Sequence, residues 1–357
     1  MKIIHTSDLH LGSALTSRLS PERAIRRAHE LEESFARLCS EAVELSASAV
    51  IIAGDLFDTA RVSTGGVDTV FTIMRRHPEI SFFYLPGNHE GQVINASGLP
   101  HPDNLFVFGE EWTYFTHGDI RLAGRSTTEK NMMRTLERSS ERTIAVLHGE
   151  LRDKSEAGGI IGGSELSGCG VEYYALGHYH SYSVRQVGKG SVAVYCGTPE
   201  GRGFDEVGDC GFVLIDTDGP AVLHKFIPFA KRRQLIIPVD VTGAVSNSQI
   251  EERISAATGA TGSESLVRIA LTGEREPELT VNRAIIEARF RDKFFYFEIK
   301  DKTRIRLDRE ALRYDKSLKG EFLRLCLADE SLEEDERSRI IECGFAALSG
   351  ERWEAAE

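Results

Sequence analysis

Five times within its first 180 residues the chain runs a short apolar segment into a cluster of Asp, Asn, Glu and His: IIHTSDLH, VIIAGDLFD, FFYLPGNHE, IAVLHGE and YYALGHYH. Apolar runs of that length, bounded by turn residues, read as strands covered on both faces, and such strands belong to α/β layer structures. In these sheets ligands gather beyond the carboxyl ends of the strands. Five strand ends along one edge would pool Asp8, His10, Asp55, Asp58, Asn88, His89, Glu90, His148, Glu150, His178 and His180. Few folds other than an α/β layer structure with its site at one sheet edge accommodate that pattern.

The segments between the runs agree. Ser20 and Pro21 mark a helix start, and Ala24, Ala28, Leu31, Phe35, Leu38, Ala42 and Leu45 follow at helical spacing. A second helix is predicted over 67–76, stopped before Pro78, and strand-like runs dominate from about 105 to 229. A new α/β unit begins near Lys231, with strands over 235–241, 266–271 and 294–299 and helices over 248–257 and 279–290. Two short amphipathic helices follow from about Asp315; neither stands alone in water, so each needs a surface to dock on. The expected division is a catalytic domain over 1–230, a small capping domain over 231–314 and a helical segment over 315–357.

Charge narrows the function classes. A formal net charge of −12 argues against a protein that coats nucleic acid through many Lys and Arg contacts to phosphate. It leaves open an enzyme that holds one phosphodiester through bound cations. The six cysteines are scattered without a CxxC pair, which points to reduced thiols rather than zinc ligands. No signal-peptide core or membrane-length apolar run stands out, so a cytoplasmic location without membrane attachment is expected.

The pooled donors outnumber what one ion takes, about four to six ligands, and suit two. Two ions roughly 3.5 to 4 Å apart clamp the attacking and leaving oxygens of a phosphoryl displacement. Carboxylate, imidazole and amide donors together favour manganese, with iron or zinc as alternatives, over calcium or magnesium. In DLH and HYH, alternation along an extended segment is expected to project Asp8 with His10, and His178 with His180, toward adjacent ions. Gly54, Gly87 and Gly177 precede ligand groups where a strand must turn and a side chain lacks room.

The blocks DLH, GDLFD, GNHE, HGE and GHYH, in that order, resemble the signature of calcineurin-like metallophosphoesterases. HTSDLHLG and AGDLFDTA narrow the resemblance to SbcD-type DNA exonucleases and their YhaO-like bacterial relatives, over residues 1 to about 205 including CGTPEGRGF. The resemblance implies a four-layer α/β/β/α sandwich. It makes Asp8, His10, Asp55 and His180 ligands of one metal, and Asp55, Asn88, His148 and His178 ligands of the other, with Asp55 bridging. It implies that His89 is the catalytic histidine, DNA the substrate, an SbcC-like coiled-coil ATPase the partner, and a homodimer the assembly. Asp58 stands where archaeal and eukaryotic members carry His.

Other readings remain beside this one. The same metal chemistry serves small-molecule phosphodiesterases and phosphatases, and a scaffold could keep the fold without catalysis. Asp58, Glu90 and Glu150 are either holders of ligands or turn residues, and Arg202 either meets a phosphate or fixes a loop. His5 is read as structural, His29, His77, His101, His117 and His224 as structural or solvated, Lys231, Arg232 and Arg233 as a solvated linker, and the C-terminal helices as a partner surface.

Overall fold

The computed structural model describes every residue except 14–18, 60–61, 92, 155–157, 277–278, 307–313 and 349–357. The chain divides into two compact units, Met1–Gln234 and Leu235–Glu357. In chain order the first holds β1 (Lys2–Thr6), α1 (Pro21–Glu44), β2 (Ala47–Ala53), α2 (Thr64–Arg75), β3 (Ser81–Leu85), α3 (Val93–Ala96), β4 (Leu105–Val107), β5 (Thr113–His117) and β6 (Ile120–Gly124). After a 3-10 turn at Met132–Thr135 come β7 (Arg142–His148), β8 (Glu150–Arg152), β9 (Ile160–Gly162), α4 (Gly163–Leu166), β10 (Val171–Gly177), β11 (Ser183–Gly188), β12 (Ser191–Tyr195), β13 (Gly211–Asp216) and β14 (Leu223–Pro228).

Two six-stranded sheets form, ordered β14-β13-β1-β2-β3-β4 and β11-β12-β10-β7-β6-β5. Strands β1 to β4 run parallel, as do β6, β7, β10 and β12. The period of two in the side chains sorts the apolar runs into layers. Ile4, Val50, Ile52 and Phe82 pack under Phe35 and Leu38 of α1 and Phe71 and Met74 of α2. Their neighbours Ile3, Ile51 and Phe83 face Ile120, Ile144, Tyr173 and Val194 of the second sheet. The far side of that sheet, with Ala145, Leu147 and Tyr174, is covered by Met132, Met133 and Leu166. This is the four-layer α/β/β/α sandwich, with a thin fourth layer of short turns. Each fully buried Phe, Leu or Ile contributes about 1.5–3 kcal/mol.

Helix α1 starts as its sequence requires: Ser20 caps it by accepting from the Arg23 N–H, and Pro21 opens it. Its inward stripe is not wholly apolar, because Arg27 and Glu30 are buried on it. Glu30 accepts two hydrogen bonds of 2.6 Å from Arg232, and Glu200 pairs with Arg27 at 2.9 Å and Arg37 at 3.0 Å. The expectation of a solvated linker at Lys231–Arg233 is therefore corrected for Arg232, which is fully buried. A buried carboxylate on α1 demanded a buried cation, and sequence alone does not show which distant residue answers it.

This cluster carries a pH signature. Burial would raise the Glu30 carboxyl, but the hydrogen bonds and charge of Arg232, then of Arg27, outweigh it and hold the group at about 2 rather than 4.5. A carboxylate held below its unfolded value gives its full stabilisation above the unfolded value and loses it as pH falls through the folded one. Urea unfolding from about pH 5 down to about pH 2 should cost the natural chain roughly 3 kcal/mol more than Glu30→Gln. Equal losses in the two proteins would refute the assignment.

The second unit has its own core of Val241, Ile250, Ile254, Val267, Ile269, Leu271, Ile286 and Phe297. Strands Gln234–Asp240, Leu266–Thr272 and Tyr296–Asp301 form its sheet in that order, accompanied by helices Asn247–Ala257 and Arg283–Phe290. The last helix starts after its Asn282 cap, later than the expected Leu279, because Asn282 supplies the acceptor that the first turn needs. Helices Leu318–Ala328 and Glu334–Leu348 dock on each other through Leu323, Cys326, Ile341 and Phe345. Among the described residues no helix is long and apolar enough to cross a membrane.

Candidate metal centre

The parallel strands β1, β2 and β3 of one sheet and β7 and β10 of the other bring five carboxyl ends to one edge. At or just beyond them lie Asp8 and His10, Asp55, Asn88 and His89, His148, and His178 and His180, respectively. The expected extended geometry of DLH and HYH is not what delivers them. Asp8, His10, Asp55 and His178 all have positive φ, at 52°, 47°, 51° and 107°. Left-handed backbone costs a non-glycine residue on the order of 1–3 kcal/mol and persists where its surroundings impose it. Leu9 between Asp8 and His10 turns into the core, and the left-handed residues on either side of it bring both polar side chains to the edge.

Crowding explains two glycines. A Cβ on Gly177 would collide with the Ala53 carbonyl, His148 and Ser7, and one on Gly87 with Asp55. The two sheets and their loops come together here more closely than any side chain allows.

Two groups of donors result. Asp8, His10 and His180 offer atoms within 4.8 Å of one another, as do Asp8, Asp55 and His148. His10 Nε2 lies 3.2 Å from His180 Nε2. Asp55 Oδ2 stands between the groups, 4.0 Å from His10 Nε2 and 3.3 Å from His148 Nε2. Asn88 Oδ1 is 2.8 Å from His148 Nε2. His178 stands apart from both groups: its backbone N–H donates to the Asp8 carboxylate at 3.1 Å, and its ring lies against that of His148. His89, exposed, has its N–H bonded to Asp55 at 3.1 Å and its ring 5.2 Å from that of His10.

The electrostatics of this set demand positive charge. Burial raises the Asp8 carboxyl despite the opposing charge of His148. Burial also acts to raise Asp55, but the hydrogen bond and charge of His148 outweigh it and hold it at about 2. Burial would lower His148, yet its bond to Asp55 and the nearby carboxylates push it up to about 9. Burial, helped by the Arg202 charge, holds His10 down at about 3. Without an ion, the positive charge that Asp55 calls for is carried by the His148 proton while His10 stays neutral, and a divalent cation bound among these donors would take over that role.

Tautomers are fixed from behind. His148 Nδ1 is 2.9 Å from the Ala53 carbonyl, and His180 Nδ1 is 2.7 Å from Glu206. An N–H donated backward leaves each Nε2 as the atom that faces the other donors and would take an ion once its own proton is displaced. Glu206 is in turn gripped by Arg202, which also reaches Asp58 at 3.0 Å, and Asp58 lies 3.2 Å from His10 Nδ1. Arg202 fixes a loop here. Glu90, buried, accepts from the N–H groups of Leu56, Phe57 and Gly87, tying the β2 and β3 loops together. Glu150 is partly exposed and pairs with Arg152 at 2.8 Å. His5 is buried against the Tyr173 hydroxyl at 2.9 Å. Sequence reasoning did not find Glu206 or Ser7, whose hydroxyl bonds Asp8. Glu206 is one of several carboxylates between Glu200 and Asp209, and nothing in the sequence marks it as the one that meets His180.

Beside the donors opens a cleft of about 630 Å3, lined by Asn88, His148, Glu150, His178, Ser126 and Thr128 among others. Against known proteins, residues 1–182 match the family model described as calcineurin-like phosphoesterase, just over half of the 357-residue chain. The chain belongs to this family. Proteins similar to it include the DNA double-strand break repair protein Mre11 of Methanopyrus kandleri, 28% identical over 82% of this chain and 71% of that protein. The Mre11 protein of Saccharolobus solfataricus is 24% identical over 96% of this chain and 94% of its own length. YhaO of Bacillus subtilis, an uncharacterised metallophosphoesterase, is 27% identical over 63% and 60%. Among solved structures, TT1561 of Thermus thermophilus aligns with 63% of this chain and 98% of its own, at 13% identity and a TM-score of 0.41.

Proposed function

We propose that this phosphoesterase is a DNA nuclease that hydrolyses phosphodiester bonds with two divalent ions, manganese foremost. The observation that carries the reading is the position of Asp55 Oδ2 between His10 at 4.0 Å and His148 at 3.3 Å, joining two donor groups. One ion would take Asp8, His10, Asp55 and His180, the other Asp55, Asn88, His148 and His178. Bound there, the ions supply Lewis acidity to the phosphoryl group and to the attacking water. The chain does the rest. Ala53 and Glu206 hold the imidazoles in the tautomer that presents Nε2. The Asp55 carboxylate anchors the His89 backbone, leaving its exposed ring free to hold a proton for the leaving oxygen.

The similarity to Mre11 proteins along most of the chain favours DNA as the substrate and repair as the setting. A coiled-coil ATPase of the SbcC type is the proposed partner and a homodimer the proposed assembly. Leu318 and Leu325, exposed on one C-terminal helix, offer the apolar contact such a partner needs. The deciding experiment incubates the purified protein with manganese, end-labelled linear DNA and p-nitrophenyl phosphate esters. Shortened DNA with weak ester turnover is expected; brisk ester turnover over intact DNA would replace this reading with a small-molecule phosphoesterase.

A further inference from the structure

Resting on the nuclease reading, we propose that Tyr179 is a stacking platform for an unpaired nucleobase next to the scissile phosphate. Tyr179 lies between His178 and His180 in the chain, its ring meets that of His178, and the residue is 41% exposed. It is held rather than loose. It meets Tyr195 in a T-shaped contact with ring centroids 4.9 Å apart, and its hydroxyl lies near the Glu150 carboxylate. Tyr195 is itself locked, donating to the Gly149 carbonyl at 2.7 Å and accepting from the Leu151 N–H at 2.8 Å. A preset aromatic face loses little conformational freedom when a planar ligand lands on it.

Charge favours a base over a phosphate as the second point of contact. None of the described residues lining the adjoining cleft is Lys or Arg, Glu110 and Glu150 are among them, and Arg152, the cation beside the platform, is paired with Glu150 at 2.8 Å. Tracking a duplex along its phosphates needs cations at the contact surface, and the chain carries −12 overall. Stacking needs none and accepts any base, because each has a π face. A base is one sugar away from its phosphate, so a ring flanked by two candidate ligands is within its reach. A base paired inside a duplex already has both faces covered by its neighbours, so the platform selects nucleotides that are unpaired, at an overhang or a frayed end.

The test uses the full chain with manganese and two single-stranded oligonucleotides, identical except that one is abasic next to the cleaved bond. The natural protein should prefer the base-bearing strand by about tenfold in kcat/KM, mostly through KM. Tyr179→Phe should retain that preference, and Tyr179→Leu, which fills the space beside Tyr195 without a π face, should reduce it to near unity. A 2-aminopurine base at the same position should be quenched on binding to the natural protein and to Tyr179→Phe, and not to Tyr179→Leu. Cleavage of both strands with no preference, or a preference that survives in Tyr179→Leu, overturns the platform and leaves the nuclease reading intact. Failure to cleave either strand while linear duplex DNA is shortened also overturns the platform, and failure on every DNA removes the nuclease reading with it.

Discussion

Asp55→Asn is expected to remove DNA cleavage and to lower the bound metal from two ions per chain, with the fold preserved. Asparagine keeps the size of the side chain and an oxygen for the His89 N–H, which Asp55 accepts at 3.1 Å. What it removes is the negative charge beside His148 and His10, 3.3 and 4.0 Å away. An amide is a poor bridge between two cations. It cannot offset the mutual repulsion of ions about 3.5–4 Å apart. Removing a residue that merely orients a ligand costs up to about 100-fold in metal affinity or activity, so losing the bridge should exceed about 10^3-fold. Manganese content by mass spectrometry and cleavage of end-labelled DNA provide the two readouts, with circular dichroism as the check on folding. Parental metal content in Asp55→Asn would end the two-ion assignment.

The fold was legible because the sequence states it twice. VIIA and FFYL are continuous apolar runs, which only strands covered on both faces tolerate, and the alternation of Ile3 against Ile4 already assigns each to a layer. The site was legible as a set of residue types at strand ends. Its local geometry was not, since nothing in DLH announces that Asp8 and His10 take left-handed backbone. Asp and His tolerate that conformation better than most residues, but the fold of the whole edge imposes it. The supporting residues were least legible. Glu206 meets His180 across 26 positions, and Arg232 meets Glu30 across 202. A carboxylate among many in an acidic chain carries no mark of which histidine it orients, so only the closed structure identifies it.

His89→Ala should separate the chemistry of the leaving group from the binding of metal. The ring lies outside both donor groups and is solvent-exposed, while its backbone N–H, which the substitution retains, keeps the bond to Asp55. Metal content should therefore stay parental and KM should move little. If the imidazole delivers a proton to the departing sugar oxygen, kcat on DNA should fall by about 10^2–10^4-fold, the usual worth of a positioned general acid. A phosphodiester whose leaving group is p-nitrophenolate needs no such proton, because that anion is stable in water. The variant should then lose much less on thymidine 5′-p-nitrophenyl phosphate than on DNA. Equal losses on the two substrates would make His89 a group that positions the phosphate rather than one that protonates the leaving oxygen.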